Sequence, residues 1–280
     1  MLSRGLQEEK MSKMCLDTTE CTEAIVKLGI KKVSYPALKV LILGFMGGMF
    51  IGLSAIGNLI ANQTIGGGLG KIVGSCVFPV GLILVVLVGG SLFTGDCLAY
   101  LAWFEGKVDF NKMMKNLGLV WIGNLLGSIF TAFVAYTGGQ FESKALADFA
   151  VNVATHKVHL GFTEALASAF LCNVLVALAV WFSFAAKDMI GKIFAIWFPI
   201  MLFILGGYQH VVANMTYISV GKILSPESYT FVEMVKHFIP VTIGNFLSGS
   251  IFLPLVYRTL YLKKHHHADE EISETKKAEC

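Results

Sequence analysis

Gly89-Gly90-Ser91-Leu92-Phe93-Thr94-Gly95-Asp96 interrupts one long apolar segment, and Gly206-Gly207-Tyr208-Gln209-His210 interrupts another. A helix crossing lipid satisfies its own backbone groups. Irregular backbone at that depth persists only where it is buried in protein or lines a water-filled cavity. Two broken helices at matching places in two halves of a chain point to a solute path. Thr94 and His210 are the first candidates for polar groups on such a path, although Thr94 taken alone could be an ordinary loop hydroxyl.

The surrounding composition agrees with a membrane setting. The 280 residues are 55% hydrophobic and 15% charged, with mean hydropathy +0.68. Soluble domains carry about 25% charged residues. A net charge of +3 is too small to indicate nucleic acid. Segments at about 37–61, 71–103, 117–136, 160–186, 193–218 and 231–261 are each long enough to span, since roughly 20 residues suffice. Six crossings follow, the second and fifth broken. With both termini inside, the inner loops carry Lys27, Lys31, Lys32, Lys39, Lys107, Lys112, Lys115, Lys187, Lys192, Arg258, Lys263 and Lys264. The outer loops carry only Lys71, Lys144, Lys157, Lys222 and Lys236. That distribution obeys the positive-inside rule.

Residues 1–36 read as a cytoplasmic segment, 37–262 as the channel domain and 263–280 as a polar, disordered cytoplasmic tail. Met1 to Asp17 lacks the pattern of a secretory signal peptide. Asp17 or Thr18 caps a short helix to about Lys32, with Cys21, Ile25 and Leu28 on one face and Lys27 and Lys31 on another. That pattern fits an interfacial amphipathic helix anchoring the tail. Cys15, Cys21, Cys76, Cys97, Cys172 and Cys280 form neither a disulfide framework nor a zinc pattern. His265-His266-His267 makes a poor metal site.

An internal repeat is visible. Ile122-Gly123-Asn124-Leu125-Leu126 returns as Ile243-Gly244-Asn245-Phe246-Leu247, an offset of 121, and the two Gly-Gly breaks are offset by 117. Two similar offsets indicate duplication of a three-span unit. Three crossings is an odd number, so the second copy inserts inverted, setting the breaks face to face near the midplane. Gly44, Gly48 and Gly52 form a ladder for close helix packing, and Asn124 and Asn245 are expected as interhelical hydrogen-bond partners.

His210, between Met201-Leu202-Phe203-Ile204-Leu205 and Val211-Val212-Ala213, is either a functional group or a packed histidine. An ionisable residue inside a span is a functional candidate by default. Lys157, in the His156-Lys157-Val158-His159 loop before the fourth span, is either solvated or collects anions at a pore mouth. Glu164 follows that HxxH, but a loop position without further ligands makes no metal site. Phe78, Leu82, Leu92 and Phe203 flank the breaks and could form dry constrictions. No nucleotide fingerprint is present, so ATP-driven transport is unsupported. A metalloenzyme would need a converging ligand set that the sequence does not contain.

The broken-helix sequences, the inverted repeat and the His-Lys-Val-His segment together resemble the formate/nitrite transporter family over about Ile25 to Tyr261. Leu92-Phe93-Thr94, Asn173 with Leu178-Ala179-Val180-Trp181, and the run from Gly207 to Met215 carry the resemblance. It implies an all-α, aquaporin-like protomer assembled as a homopentamer in the inner membrane. Each protomer then conducts small monovalent anions such as formate, nitrite or hydrosulfide, with neither cofactor nor enzymatic activity. By position, His210 matches the central pore histidine, Thr94 its hydroxyl partner, Lys157 a vestibule lysine and Asn173 a vestibule asparagine. Phe78, Leu82, Leu92 and Phe203 match the constriction residues. Gln209 stands where formate and nitrite members commonly carry Glu, which resembles the hydrosulfide-channel branch and makes hydrosulfide the expected substrate, ahead of formate or nitrite. The alternative is an aquaporin-like channel for water or ammonia, which should not need Lys157.

Overall fold

The computed structural model describes residues 15–262; His265 to His267 and Cys280 lie outside the described residues. Those described form helices and no sheet, with one isolated bridge between Cys15 and Ala186. In chain order they are α1 (Thr18–Val33), α2 (Ala37–Ile65) and α3 (Gly67–Gly89). Three short turns, Phe93–Asp96, Cys97–Tyr100 and Leu101–Phe104, make α4. Then come α5 (Phe110–Thr137), α6 (Lys144–Val158), α7 (Phe162–Ala185), α8 (Met189–Leu205), α9 (Val211–Leu224) and α10 (Phe231–Leu262). Helices α2, α3, α5, α7 and α10 are long and apolar enough to cross a bilayer, while α8 and α9 are shorter apolar helices. Leu53, Phe133, Leu202 and Leu260 are among the large apolar side chains left exposed on the outside. A soluble monomer rarely shows so much contiguous apolar surface.

Helix α2 packs most extensively on α5, and α7 on α10. The glycine ladder makes the first of these contacts possible. A Cβ at Gly48 would overlap the carbonyl of Asn124, and one at Gly44 would meet the Val120 carbonyl and the Gly123 Cα. Gly52 lies against Thr131. Small residues let helix backbones approach to van der Waals distance, which drives association in lipid.

Three features differ from the sequence expectation. Lys157, placed in a loop, lies in the last turn of α6, a helix the sequence reading left out. The segment 137–159 is too polar to register as a span, yet Leu146, Ala150, Ala154 and Val158 recur at helical spacing and are buried. The third span starts earlier than Leu117, at Phe110, because Asp109 caps it by accepting from Lys112 N–H. Finally, α1 turns its apolar face to the protein instead of lipid. A capping box between Asp17 and Glu20 starts it. Cys21 and Ile25 are then buried against Leu98, Leu101, Ala177, Trp181 and Leu253.

Candidate functional site

The site is built at the two interruptions. Helix α3 ends in a π-helical turn at Gly89, whose φ of 110° favours glycine. The chain is then extended through Leu92 before α4 restarts at Phe93. Helix α8 stops at Leu205, Gly207 takes φ 73°, and α9 restarts at Val211. The backbone freed at each interruption is taken up by one asparagine. Asn124 on α5 accepts from Phe93 N–H at 2.8 Å and donates to the carbonyls of Gly44 (2.7 Å) and Ser91 (2.9 Å). Asn245 on α10 accepts from Val211 N–H at 2.9 Å and donates to those of Ala169 (2.7 Å) and Gln209 (3.0 Å). Both are fully buried. Their task is therefore more specific than gluing helices: each clamps a broken end to its neighbours.

Between the clamped ends, Thr94 Oγ1 lies 2.8 Å from His210 Nε2, and both side chains are buried. His210 is also the N-cap of α9. Its Nδ1 accepts from Ala213 N–H at 3.0 Å. A ring whose Nδ1 accepts must, if neutral, carry its proton on Nε2. His210 then donates to Thr94, and the threonine hydroxyl keeps its own proton to offer elsewhere. The tautomer is assigned from this hydrogen-bond pattern.

Apolar rings stand on both sides of the pair. Phe203 packs on His210 at 5.6 Å between centroids and meets Phe78 edge-on at 5.6 Å. Leu82 and Leu92 are buried on the other side and line a cavity of about 360 Å³. Lys32 of α1 reaches this cavity and bonds Asp96 Oδ1 at 2.5 Å and Ser91 Oγ at 2.8 Å. The sequence reading quoted Asp96 without a role and counted Lys32 only for topology. A carboxylate in the middle of an apolar segment was the available signal.

Beyond Phe203, a chamber of about 110 Å³ is lined by Lys157, His210, Asn58, Asn214 and Tyr217 among others. The Lys157 ammonium donates to Gln209 Oε1 at 3.1 Å and stands 5.2 Å over the Tyr217 ring. No carboxylate is bonded to it among the described residues. Tyr217 O–H donates to Asn58 Oδ1 at 2.9 Å, leaving Asn58 Nδ2 without a partner. Asn58, Asn214 and Tyr217 were missed by the sequence reading, although amides within apolar spans are the same kind of signal as His210. Asn173 is not among the side chains lining this chamber. Its place on α7 turns it to the α10 seam, where it lies against Gly249 and donates to the Asn245 carbonyl at 2.7 Å. A larger groove of about 620 Å³ between α5 and α10 is apolar, and its Thr242 hydroxyl is occupied by Trp121. Among the described residues, no cluster could hold a metal ion.

Comparison with known proteins gives the same answer from sequence and structure. A family model described as formate/nitrite transporter matches residues 19–259. An uncharacterised transporter of Bacillus subtilis (strain 168), YrhG, is 41% identical over 259 residues, covering 90% of this chain and 96% of that protein. The formate channel BtFdhC of Bacillus thuringiensis is 37% identical over 254 residues, covering 88% and 96%. A solved structure described as a pentameric formate channel with formate bound superposes with a TM-score of 0.71 at 31% identity. It covers 81% of this chain and 98% of that one.

Proposed function

The chain belongs to the formate/nitrite transporter family, and from that premise we propose that it is a channel for small monovalent anions rather than an enzyme. The observation that carries this reading is the Lys157 ammonium in a small chamber whose hydrogen-bonding groups are neutral. One uncompensated positive charge with apolar walls favours one negative charge. A dianion, or a cation, would pay much more for losing its water there.

Lys157 gathers the anion. Phe203 and Phe78 strip part of its hydration, and the hydroxyl proton of Thr94, left free because His210 Nε2–H donates to the threonine oxygen, replaces some of it. Leu82 and Leu92 form the second ring, and the solute leaves through the cavity beside Lys32. The His210 Nδ1 bond to Ala213 supports a hydrogen-bonding role over proton donation by an imidazolium, because a second ring proton would break the cap of α9. Formate is favoured as substrate by the relatives' names. Hydrosulfide is the second reading, favoured by the neutral Gln209 beside Lys157.

The same reading includes six crossings in two inverted three-helix repeats, with the channel formed by residues 37–262. The clamps by Asn124 and Asn245 support the repeat, since each holds one break with the same pattern of bonds. The pentameric assembly of the solved relative supports a homopentamer here. The lysine distribution supports cytoplasmic termini in a bacterial-type inner membrane, with Lys157 outside. The test is a flux panel in proteoliposomes with formate, hydrosulfide, nitrite, chloride and water across pH. Anion flux above that of protein-free vesicles supports the reading. Water or ammonia flux with none of the anions refutes it.

A further inference from the structure

One buried histidine has no part in the path described. His237 lies two turns into α10, 2% exposed, across Asn214 from the chamber. Its ring lines a separate pocket of about 360 Å³ together with Val158, Phe162, Glu233 and Lys236.

The donor and acceptor roles leading to it are fixed by Lys157, which can only donate. Gln209 must present Oε1 to that ammonium. Gln209 Nε2 is accordingly turned to the Gly207 carbonyl. Asn214 must then meet Oε1 with its amide nitrogen, at 2.9 Å. The same Nδ2 lies 2.9 Å from His237 Nε2 and donates to it. A neutral His237 therefore carries its proton on Nδ1, the opposite tautomer to His210. That Nδ1 has no partner. Buried donors are nearly always bonded, so this one is an unpaired donor on a residue that borders a pocket Lys236 also lines.

We propose that the Nδ1–H of His237 and the Lys236 ammonium form an accessory site for a small monovalent anion, one step outside the Lys157 chamber. One neutral donor and one cation match a single charge. Glu233 does not fill the site, because its carboxylate is occupied by the Thr230 backbone and hydroxyl and by His159. Its negative charge on the same wall opposes any anion, and a dianion most. The site rests on the anion-channel reading and adds to it a place where the solute waits.

The test uses full-length protein with 15N-labelled histidine in nanodiscs, titrated with sodium formate at constant ionic strength with gluconate. His237 is assigned by difference against His237→Phe, or His237→Gln should the first not assemble. The expected result is an Nδ1–H tautomer for His237 and a saturable shift of its Nδ1 resonance. Lys236→Ala should weaken that shift and raise the half-saturating formate concentration for flux roughly two- to fivefold, the range of one exposed charge pair. Lys157→Arg, which keeps a donor-only cation opposite Gln209, should leave the shift in place. An Nε2–H tautomer, a resonance unmoved by formate, or a shift that Lys236→Ala leaves unchanged overturns the site. Formate flux is read separately in vesicles. Flux with an unmoved His237 refutes only the accessory site, whereas a moved His237 without flux of any small anion refutes the channel.

Discussion

Replacing Asn245 by alanine removes three hydrogen bonds at once. The Val211 N–H and the carbonyls of Ala169 and Gln209 lose their side-chain partner. The Val211 N–H and the Gln209 carbonyl belong to backbone that the interruption keeps from the usual helical ladder, and the Ala169 carbonyl belongs to the neighbouring helix α7. Side-chain hydrogen bonds within membranes are worth about 0.6 kcal/mol on average and up to about 1.7 each, so three amount to roughly 2–5 kcal/mol. Asn124→Ala should cost the same, since Asn124 makes three equivalent bonds at the other interruption. The assay is unfolding of the detergent-solubilised protein, with Thr137→Ala as a control. The Thr137 hydroxyl bonds its own helix at an exposed position, and its removal should cost under about 0.5 kcal/mol. Formate flux should fall with stability, because the clamps hold Thr94 opposite His210. If Asn245→Ala destabilises no more than Thr137→Ala, the interruptions are held by something other than these amides, and the clamp argument is wrong.

Three further outcomes follow from the site. Lys157→Glu should lower anion flux, most at low ionic strength where screening is weakest; an unchanged rate at low salt in a normally assembled protein would return Lys157 to a passive role. Phe203→Ile or Leu82→Val should widen an apolar ring and raise flux while loosening selectivity; if both leave flux and selectivity untouched, these side chains do not line the path. His210→Asn keeps a donor and a good N-cap, so it should largely preserve flux and pH profile, whereas His210→Phe loses both bonds and should reduce flux. Wild-type behaviour from both His210 variants would make the residue a packing element. A changed pH profile in the Asn variant alone would restore proton donation.

Much of the architecture could be read from the chain because membrane helices leave strong marks. Apolar runs and Gly-Gly interruptions each follow from the physics of lipid. The juxtaposition of Thr94 and His210 could be read from the repeat offset, which set the interruptions opposite each other. What stayed hidden depends on side-chain direction. The helix α6 has mixed polarity, so Lys157 looked like a loop residue. Its half-buried place becomes evident only once Leu146, Ala150 and Ala154 are seen packed. Asn173 matches a vestibule position by resemblance, yet on α7 it points to the seam with α10. The apolar face of α1 could suit lipid or protein equally, and only the positions of Leu98, Trp181 and Leu253 decide between them. His237 drew no notice because a single histidine near the end of a span looks ordinary. Its meaning comes from the chain of amides that connects it to Lys157.

The central claim is that one uncompensated ammonium in the chamber beyond Phe203, in series with apolar constrictions, makes a sieve for single negative charges. The most direct measurement compares formate and sulfate flux in one preparation of proteoliposomes, at equal ionic strength and neutral pH. Stripping water from a dianion costs far more than from a monoanion. The account predicts formate flux well above that of protein-free vesicles, with sulfate indistinguishable from them. Sulfate passing as fast as formate would contradict it.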